Sequence, residues 1–468
     1  MTRTSTCRLQ SLVSRVVVVL RYDRGTVLVE GASPEQPVCV PQARVDQRVG
    51  GALRTPALNY HLVVRSLVAQ GIAFDDQAKG YATLELPQLE LTPRAYQQAA
   101  VDAWRASARR GQVVLPTGSG KTVVAALAMQ ETGRSTLVVV PTIDLLHQWH
   151  GVLEEHFGEP IGAVGGGEHR VEPLTVITYD SAYLHLERLG DRFGLVIFDE
   201  AHHLSGPTYQ QAAALSLAPY RLGLTATPNL EHAARIGELI GPVVFRREIG
   251  DLAGEFLSSY ETVTLRVPLS PAERVAYDAA RGTYRRFVEE KGIRLGGSFG
   301  WRNFLEATSR SREGREAFLA WREQRRLSMG AEAKFAQLER ILQRHRDERV
   351  VVFTNDNETA YAVSRRFLVP VITHQTRGPE RRAILGGLRD GSLPVVATSR
   401  VLNEGVDVPE VSVGVVLSGT ATVREHVQRL GRILRPGEGK HAILYEVVAE
   451  STAEESTSDR RRAHDAYR

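Results

Sequence analysis

Residues 113–122 read Val-Val-Leu-Pro-Thr-Gly-Ser-Gly-Lys-Thr, and they constrain the fold more than any other stretch. Val113, Val114 and Leu115 look like the end of a buried strand. Pro116, Thr117, Gly118, Ser119 and Gly120 form a loop, and Lys121 and Thr122 open an apolar run to Met129 that reads as a helix. Strand, glycine loop and helix in that order make a phosphate-binding P-loop. The glycines let backbone N–H groups turn toward a phosphate, and the helix N-terminus adds partial positive charge. Lys121 would reach the β- and γ-phosphates, and the Thr122 hydroxyl would hold magnesium. ATP and Mg²⁺ are therefore the expected cofactors.

A second motif completes such a site. Leu195-Val196-Ile197-Phe198 precede Asp199-Glu200-Ala201-His202. Four apolar residues followed by two acids predict a buried strand with carboxylates at its C-terminal end, where open α/β sheets bind ligands. Asp199 is expected at the metal, and Glu200 beside the attacking water. Upstream, Gln97 carries both an amide donor and an acceptor, the pair needed to read an adenine edge. Thr92 is expected to cap that helix.

Composition narrows the class. The 468 residues suit several soluble domains. The two cysteines, Cys7 and Cys39, lack metal-ligand spacing, which argues against zinc, an iron–sulfur cluster or a disulfide framework. The apolar run at residues 16–20 is too short for a signal peptide or a membrane span, so a cytoplasmic, nucleoid-associated location is expected. The net charge of +4 is small, but residues 281–330 hold twelve Arg or Lys against six Asp or Glu.

In chain order, residues 16–22 and 26–30 predict a hairpin, residues 57–70 a helix and residues 72–74 a strand. Residues 1–88 thus form a small α+β domain. Residues 89–250 alternate strands and helices, as a parallel doubly wound sheet requires. Residues 251–330 read as a linker and a basic helical insertion. Its aromatic residues fit a helical core, while Arg285 and Arg286 suit nucleic-acid phosphates. Residues 331–448 form a second α/β unit without its own P-loop. Within it, Arg432 and Arg435 lie about one helical turn apart, placed to stabilise transition-state charge on a nucleotide. Residues 449–468 are polar and expected to be disordered.

The series LPTGSGKT, VVPT, FDEAHH, LTATP, VVFT, NEGVD and QRLGRILRP resembles superfamily 2 helicases and translocases across residues 89–448. Within that superfamily the chain is similar to the XPB group, especially its short archaeal-type members. The resemblance implies two tandem RecA-like domains with ATP between them, DNA across the top, a damage-recognition-like N-terminal domain and a thumb-like insertion. It implies a monomeric 3′→5′ DNA motor in repair or promoter opening, acting on forked, bubble or damaged duplex, with a nuclease partner as in some archaeal relatives. By motif match, Arg94 and Gln97 lie near adenine, and Gly405 and Asp407 join the nucleotide site. His202, Thr225, Thr227 and Gln428 couple hydrolysis to DNA. Pro141, Thr142, Thr178, Tyr179, Thr398 and Ser399 face the nucleic-acid backbone. The XPB group carries Arg-Glu-Asp just after its Thr-Ala-Thr segment, whereas this chain has Leu230-Glu231-His232. That departure bears on strand separation rather than on ATP hydrolysis. Two readings stand beside the helicase: a double-stranded DNA translocase without unwinding, and an RNA helicase. A nucleotide-gated binding module with little turnover is disfavoured by Glu200 and the arginine pair.

Overall fold

The computed structural model describes residues 17–32, 38–158, 160–252, 256, 259–294, 300–399, 411–418 and 441–462. They fall into two compact units, with the boundary at Phe245 and Arg246; residues 114–121 group with the second unit. Among the described residues, no helix is long and apolar enough to cross a membrane.

The first unit begins with a five-stranded sheet. Strands β1 (Val18–Asp23), β2 (Thr26–Glu30), β3 (Arg44–Asp46), β4 (Ala52–Pro56) and β5 (Phe74–Gln77) lie in the order β3-β4-β2-β1-β5. The β1–β2 hairpin turns at Arg24 and Gly25, which have φ of 45° and 78°. Two positive φ values are what a tight hairpin turn matching strand twist demands. Helix α1 (Tyr60–Ala69) packs Tyr60, Val63 and Leu67 on this sheet. The strand expected at 72–74 lies instead at β5, paired parallel to β1.

This small domain and the parallel-sheet domain that follows it, residues 114–121 apart, belong to one unit. The Tyr22 hydroxyl donates to the carbonyls of Leu186 (2.7 Å) and Leu215 (3.1 Å). Burial pushes its ionisation well above the ordinary tyrosine value.

The second sheet has eight strands: β6 (Arg110–Val114), β7 (Thr136–Val140), β8 (Ile161–Gly165), β9 (Glu168–Arg170), β10 (Leu174–Thr178), β11 (Leu195–Asp199), β12 (Tyr220–Thr225) and β13 (Val243–Arg246). Their order is β13-β6-β12-β11-β7-β10-β8-β9. β8, β10, β7, β11 and β12 pair in parallel, as the alternation of strand and helix required. Every residue of β7, β10 and β11 is buried, consistent with a parallel sheet covered on both faces. Helices α2 (Ala95–Ala106), α3 (Lys121–Thr132), α4 (Ile143–Phe157), α5 (Tyr179–Leu189), α6 (Pro207–Leu215) and α7 (Ala233–Leu239) connect the strands. α2 begins later than expected. Arg94 rather than Thr92 is its N-cap, and the Gln97 side chain closes a capping box on the Arg94 N–H.

One buried cation organises this domain. The Arg221 guanidinium donates to the carbonyls of Ala213, Ser216, Ala218 and Leu239. Several of these end α6 and α7, where partial negative charge replaces a carboxylate partner.

In the second unit, α8 (Ile249–Leu252) is followed by β14 (Ser259–Val267), then β15 (Val350–Phe353), β16 (Val371–Ile372), β17 (Val395–Thr398), β18 (Val413–Val416) and β19 (His441–Ala449). The sheet order is β14-β19-β18-β15-β17-β16, with all pairs parallel. β14 corrects the expectation of a linker from residue 251: nine residues, Ser259 to Val267, pair in register with His441 to Ala449. The helical insertion is α9 (Pro271–Glu290), α10 (Gly300–Thr308) and α11 (Arg312–Met329). Phe287 and Phe304 form its core, with Phe318 and Trp321 packed against them, so these aromatics are structural, as expected, whereas Trp301 is 40% exposed. α12 (Glu332–Arg344), α13 (Asn357–Phe367) and α14 (Gly378–Asp390) complete the second domain.

The expected disordered tail is also corrected. Residues 453–462 form α15 (Ala453–Arg462). Glu454 of this helix pairs with buried Lys334 at 2.6 Å, and Ser458 donates to Glu446 at 2.8 Å. The sequence looked too polar to pack because its buried polar groups find partners more than a hundred residues away or across the last strand.

Candidate active site

The P-loop follows β6, and Asp199 closes β11; only β12 separates these strands in the sheet. Gly118 and Gly120 have φ of 83° and 81°, a region that side chains with a Cβ avoid. The Ser119 hydroxyl donates to the Pro116 carbonyl at 2.7 Å, which closes the loop on itself. The Lys121 ammonium lies 3.4 and 3.5 Å from the Leu115 and Pro116 carbonyls, a loose hold. The Thr117 hydroxyl oxygen is buried without a hydrogen-bond partner among the described residues. Such a group beside inward-turned glycines fits a phosphate, and the donor set suits a nucleoside triphosphate.

Asp199 is buried and held from several sides. Its Oδ1 accepts from the Glu200 N–H and its Oδ2 from the Trp149 indole N–H, both at 2.9 Å. The Tyr179 hydroxyl donates to its carbonyl at 3.0 Å. Glu200 adopts a left-handed conformation, φ 47° and ψ 52°, at the start of a short 3₁₀ turn. Its Oε2 lies 3.4 Å from His202 Nδ1, and the same nitrogen is 3.2 Å from the Thr225 hydroxyl. Thr225 Oγ1 accepts from the Thr227 N–H at 3.1 Å. His202 Nδ1 therefore stands between the Glu200 carboxylate and the Thr225 hydroxyl, and Thr225 is bonded on to Thr227. Of the residues named from the motif match for coupling, His202, Thr225 and Thr227 are brought together, and Gln428 lies outside the described residues.

Gln97 is buried, with its Oε1 on the Arg94 N–H at 2.9 Å, while the Arg94 guanidinium donates to the Tyr96 hydroxyl at 3.2 Å. The expected backbone-contact residues divide. Thr142 and Thr178 cap α4 and α5 by accepting from the Leu145 and Ser181 N–H groups, and Pro141 precedes the first cap. Tyr179 is a correction, since its ring is fully buried and its hydroxyl serves Asp199. Thr398 and Ser399 are likewise buried, with the Thr398 hydroxyl on the Ser399 carbonyl. Arg285 and Arg286 are exposed on α9, Arg285 lying 3.8 Å from Glu289. Gly405, Asp407, Gln428, Arg432 and Arg435 lie outside the described residues. Trp149 was missed by sequence reasoning. Its partner is fifty residues away, and a tryptophan on the buried face of a helix carries no local sign of a polar role.

A P-loop, an Asp-Glu-Ala-His strand exit and a histidine bonded to the next strand's threonine, all on a RecA-like sheet, define a nucleotide-driven motor of superfamily 2. Comparison with known proteins narrows this. Residues 20–78 match the xeroderma pigmentosum group B helicase damage recognition domain, residues 90–230 the type III restriction enzyme res subunit, and residues 333–437 the helicase conserved C-terminal domain. The chain is 38% identical to DNA 3'-5' translocase XPB2 of Sulfurisphaera tokodaii, over 95% of this chain and 100% of that protein. It is 32% identical to DNA 3'-5' helicase XPB of Mycobacterium tuberculosis, over 76% of this chain but 60% of that longer protein. In fold it is similar to the Hef helicase domain of Pyrococcus furiosus, with a TM-score of 0.51 at 20% identity over 78% of this chain and 97% of that one. The chain belongs to the XPB family of superfamily 2 helicases and translocases.

Proposed function

We infer that the protein is a DNA-dependent ATPase that moves 3′→5′ on DNA and opens or remodels forked, bubble or damaged duplex. The full-length match to an archaeal 3'-5' translocase carries this reading, and the site geometry supports it. A magnesium ion on Thr122 and Asp199 would neutralise charge on the β- and γ-phosphates. Lys121 would leave its loose carbonyl contacts for phosphate oxygens. Glu200 would orient the water and accept its proton. His202 would report the state of Glu200 to Thr225 and Thr227. Arg432 and Arg435 would act as the fingers, Gly405 and Asp407 would complete the nucleotide site, and Gln428 would extend the coupling chain. The protein would work as a monomer on phosphates gripped by Arg285, Arg286 and the caps of α4 and α5.

A second reading, translocation without strand separation, is favoured by Leu230. This residue is 78% exposed on a 3₁₀ turn capped by Asn229, where it offers no polar group. ATP turnover on single-stranded, duplex and forked DNA, with strand displacement followed in parallel, tests both. Stimulation by every DNA with displacement of none selects the translocase. Stimulation by RNA alone would sink both.

A further inference from the structure

Two helices converge on the metal-site carboxylate. α4 starts at the Thr142 cap and buries Leu145, Leu146, Trp149 and Leu153 against the sheet. Two turns into it, the Trp149 indole N–H donates to Asp199 Oδ2 at 2.9 Å. α5 starts at the Thr178 cap, and its first residue, Tyr179, donates its hydroxyl to the Asp199 carbonyl at 3.0 Å. One helix thus holds the carboxylate and the other its main chain. Both rings are buried, so neither bond is a surface accident. At Tyr179 the contact is separable from packing, because Phe would fill the same place without the donor.

We propose that Trp149 and Tyr179 are positioning residues that tie the aim of Asp199 to helices α4 and α5. This rests on the reading of the protein as a DNA-stimulated ATPase whose DNA engages the capped starts of these helices. A phosphate drawn to the start of α4 shifts a rigid helix, and the indole N–H carries that shift to Oδ2. The hydroxyl of Tyr179 does the same for the peptide that leads into Glu200. Outer partners of a metal ligand act in this way, fixing its orientation and its charge.

The test compares Trp149→Phe and Tyr179→Phe with the parent. Tyr179→Phe keeps the ring and removes the donor; Trp149→Phe removes the donor and trims the indole to a phenyl, so its melt is read alongside. Equilibrium binding of a fluorescent ATP analogue is titrated with Mg²⁺, duplex DNA affinity is read by anisotropy, and turnover is measured with and without duplex. For Trp149→Phe the Mg²⁺ needed for half-maximal nucleotide binding should rise by roughly tenfold, the usual scale for losing an outer partner of a metal ligand. DNA affinity should stay within about twofold, because no phosphate contact is lost. The ratio of DNA-stimulated to DNA-free turnover should fall. Tyr179→Phe should lower that ratio with a smaller Mg²⁺ shift, since its bond is to the main chain. A Trp149→Phe protein that melts with the parent and keeps both its Mg²⁺ demand and its stimulation ratio overturns the proposal. Should that variant melt early, Tyr179→Phe decides, and an unchanged ratio there is fatal. A parent that DNA does not stimulate would defeat the functional reading instead, leaving the Mg²⁺ shift to judge the positioning role separately.

Discussion

Glu200 is one of few non-glycine residues with positive φ. A left-handed backbone at such a residue costs about 1–3 kcal/mol and persists only where surrounding contacts enforce it. Here the Asp199 carboxylate takes the Glu200 N–H, and His202 stands beside the Glu200 carboxylate. The strain aims one side chain, so its chemistry should be separable from nucleotide binding. Glu200→Gln should bind ATP as the parent does and lose turnover by about 10² to 10⁴, the range for a positioned general base. Lys121→Ala should lose turnover and weaken nucleotide binding. Parental turnover in Glu200→Gln would remove this residue from the mechanism. At the small domain, burial depresses the His61 imidazole to about 3, with the Arg110 and Arg221 guanidinium groups adding to the effect. The unfolded chain takes up that proton near the ordinary value of about 6.5. The unfolded state therefore binds more protons between these values, and stability is full above about pH 6.5 and falls as the pH drops toward 3. His61→Gln should lose less melting temperature between pH 7 and pH 5 than the parent; equal losses would show that His61 is protonated at no cost.

At the scale of elements, legibility followed burial. β7 and β11 each carry four apolar residues in a row, β10 carries Val176-Ile177 between threonines, and the P-loop helix follows its glycines, so the parallel sheet could be read from the chain. β14 could not. Its sequence, Ser-Tyr-Glu-Thr-Val-Thr-Leu-Arg-Val, is half polar, and only Val267 is buried. Its place is set by pairing with β19, nearly two hundred residues on. The polar contacts from Glu200 to Thr227 were readable as motifs but not as bonds, because the strand order brings β11 beside β12. α15 was misread for a related reason. Lys334 is fully buried, with its ammonium on the Leu417 carbonyl at 2.8 Å and on Glu454 at 2.6 Å. Glu454 also accepts from the Ala449 N–H. A buried pair is modest evidence of net stability, but removing one partner leaves a charge uncompensated, at about 3–5 kcal/mol. Glu454→Ala should therefore lower the denaturant midpoint markedly, while Lys334→Met with Glu454→Leu should recover much of the loss. A Glu454→Ala midpoint equal to that of the parent would return residues 453–462 to the status of a dispensable tail.

For the whole molecule, the match to an archaeal translocase covers 95% of the chain, yet one segment departs from the group pattern. Where the XPB group has Arg-Glu-Asp, this chain has Leu230-Glu231-His232, exposed on a 3₁₀ turn two residues after the Thr225–Thr227 segment. An arginine at the first position can grip a phosphate or carboxylate with two parallel bonds, and leucine can grip neither. His232 spends its polar edge locally, with its N–H and Nδ1 both 3.3 Å from Asn229 Oδ1. The polar contacts from Glu200 end just before this turn, so ATP turnover should be insensitive to what the turn presents. Strand separation needs a group that holds one strand as the other moves, and it should respond. Leu230→Arg with His232→Asp is thus expected to raise strand displacement on a forked duplex by roughly tenfold or more, on the order of the 1.5–3 kcal/mol carried by one charge-assisted contact. DNA-free ATP turnover should stay within about twofold of the parent, as expected for a surface change remote from the phosphates. The measurement sets both proteins on one fork at fixed salt. If the parent already unwinds that fork and the restored protein gains nothing, the motif does not govern strand separation in this chain.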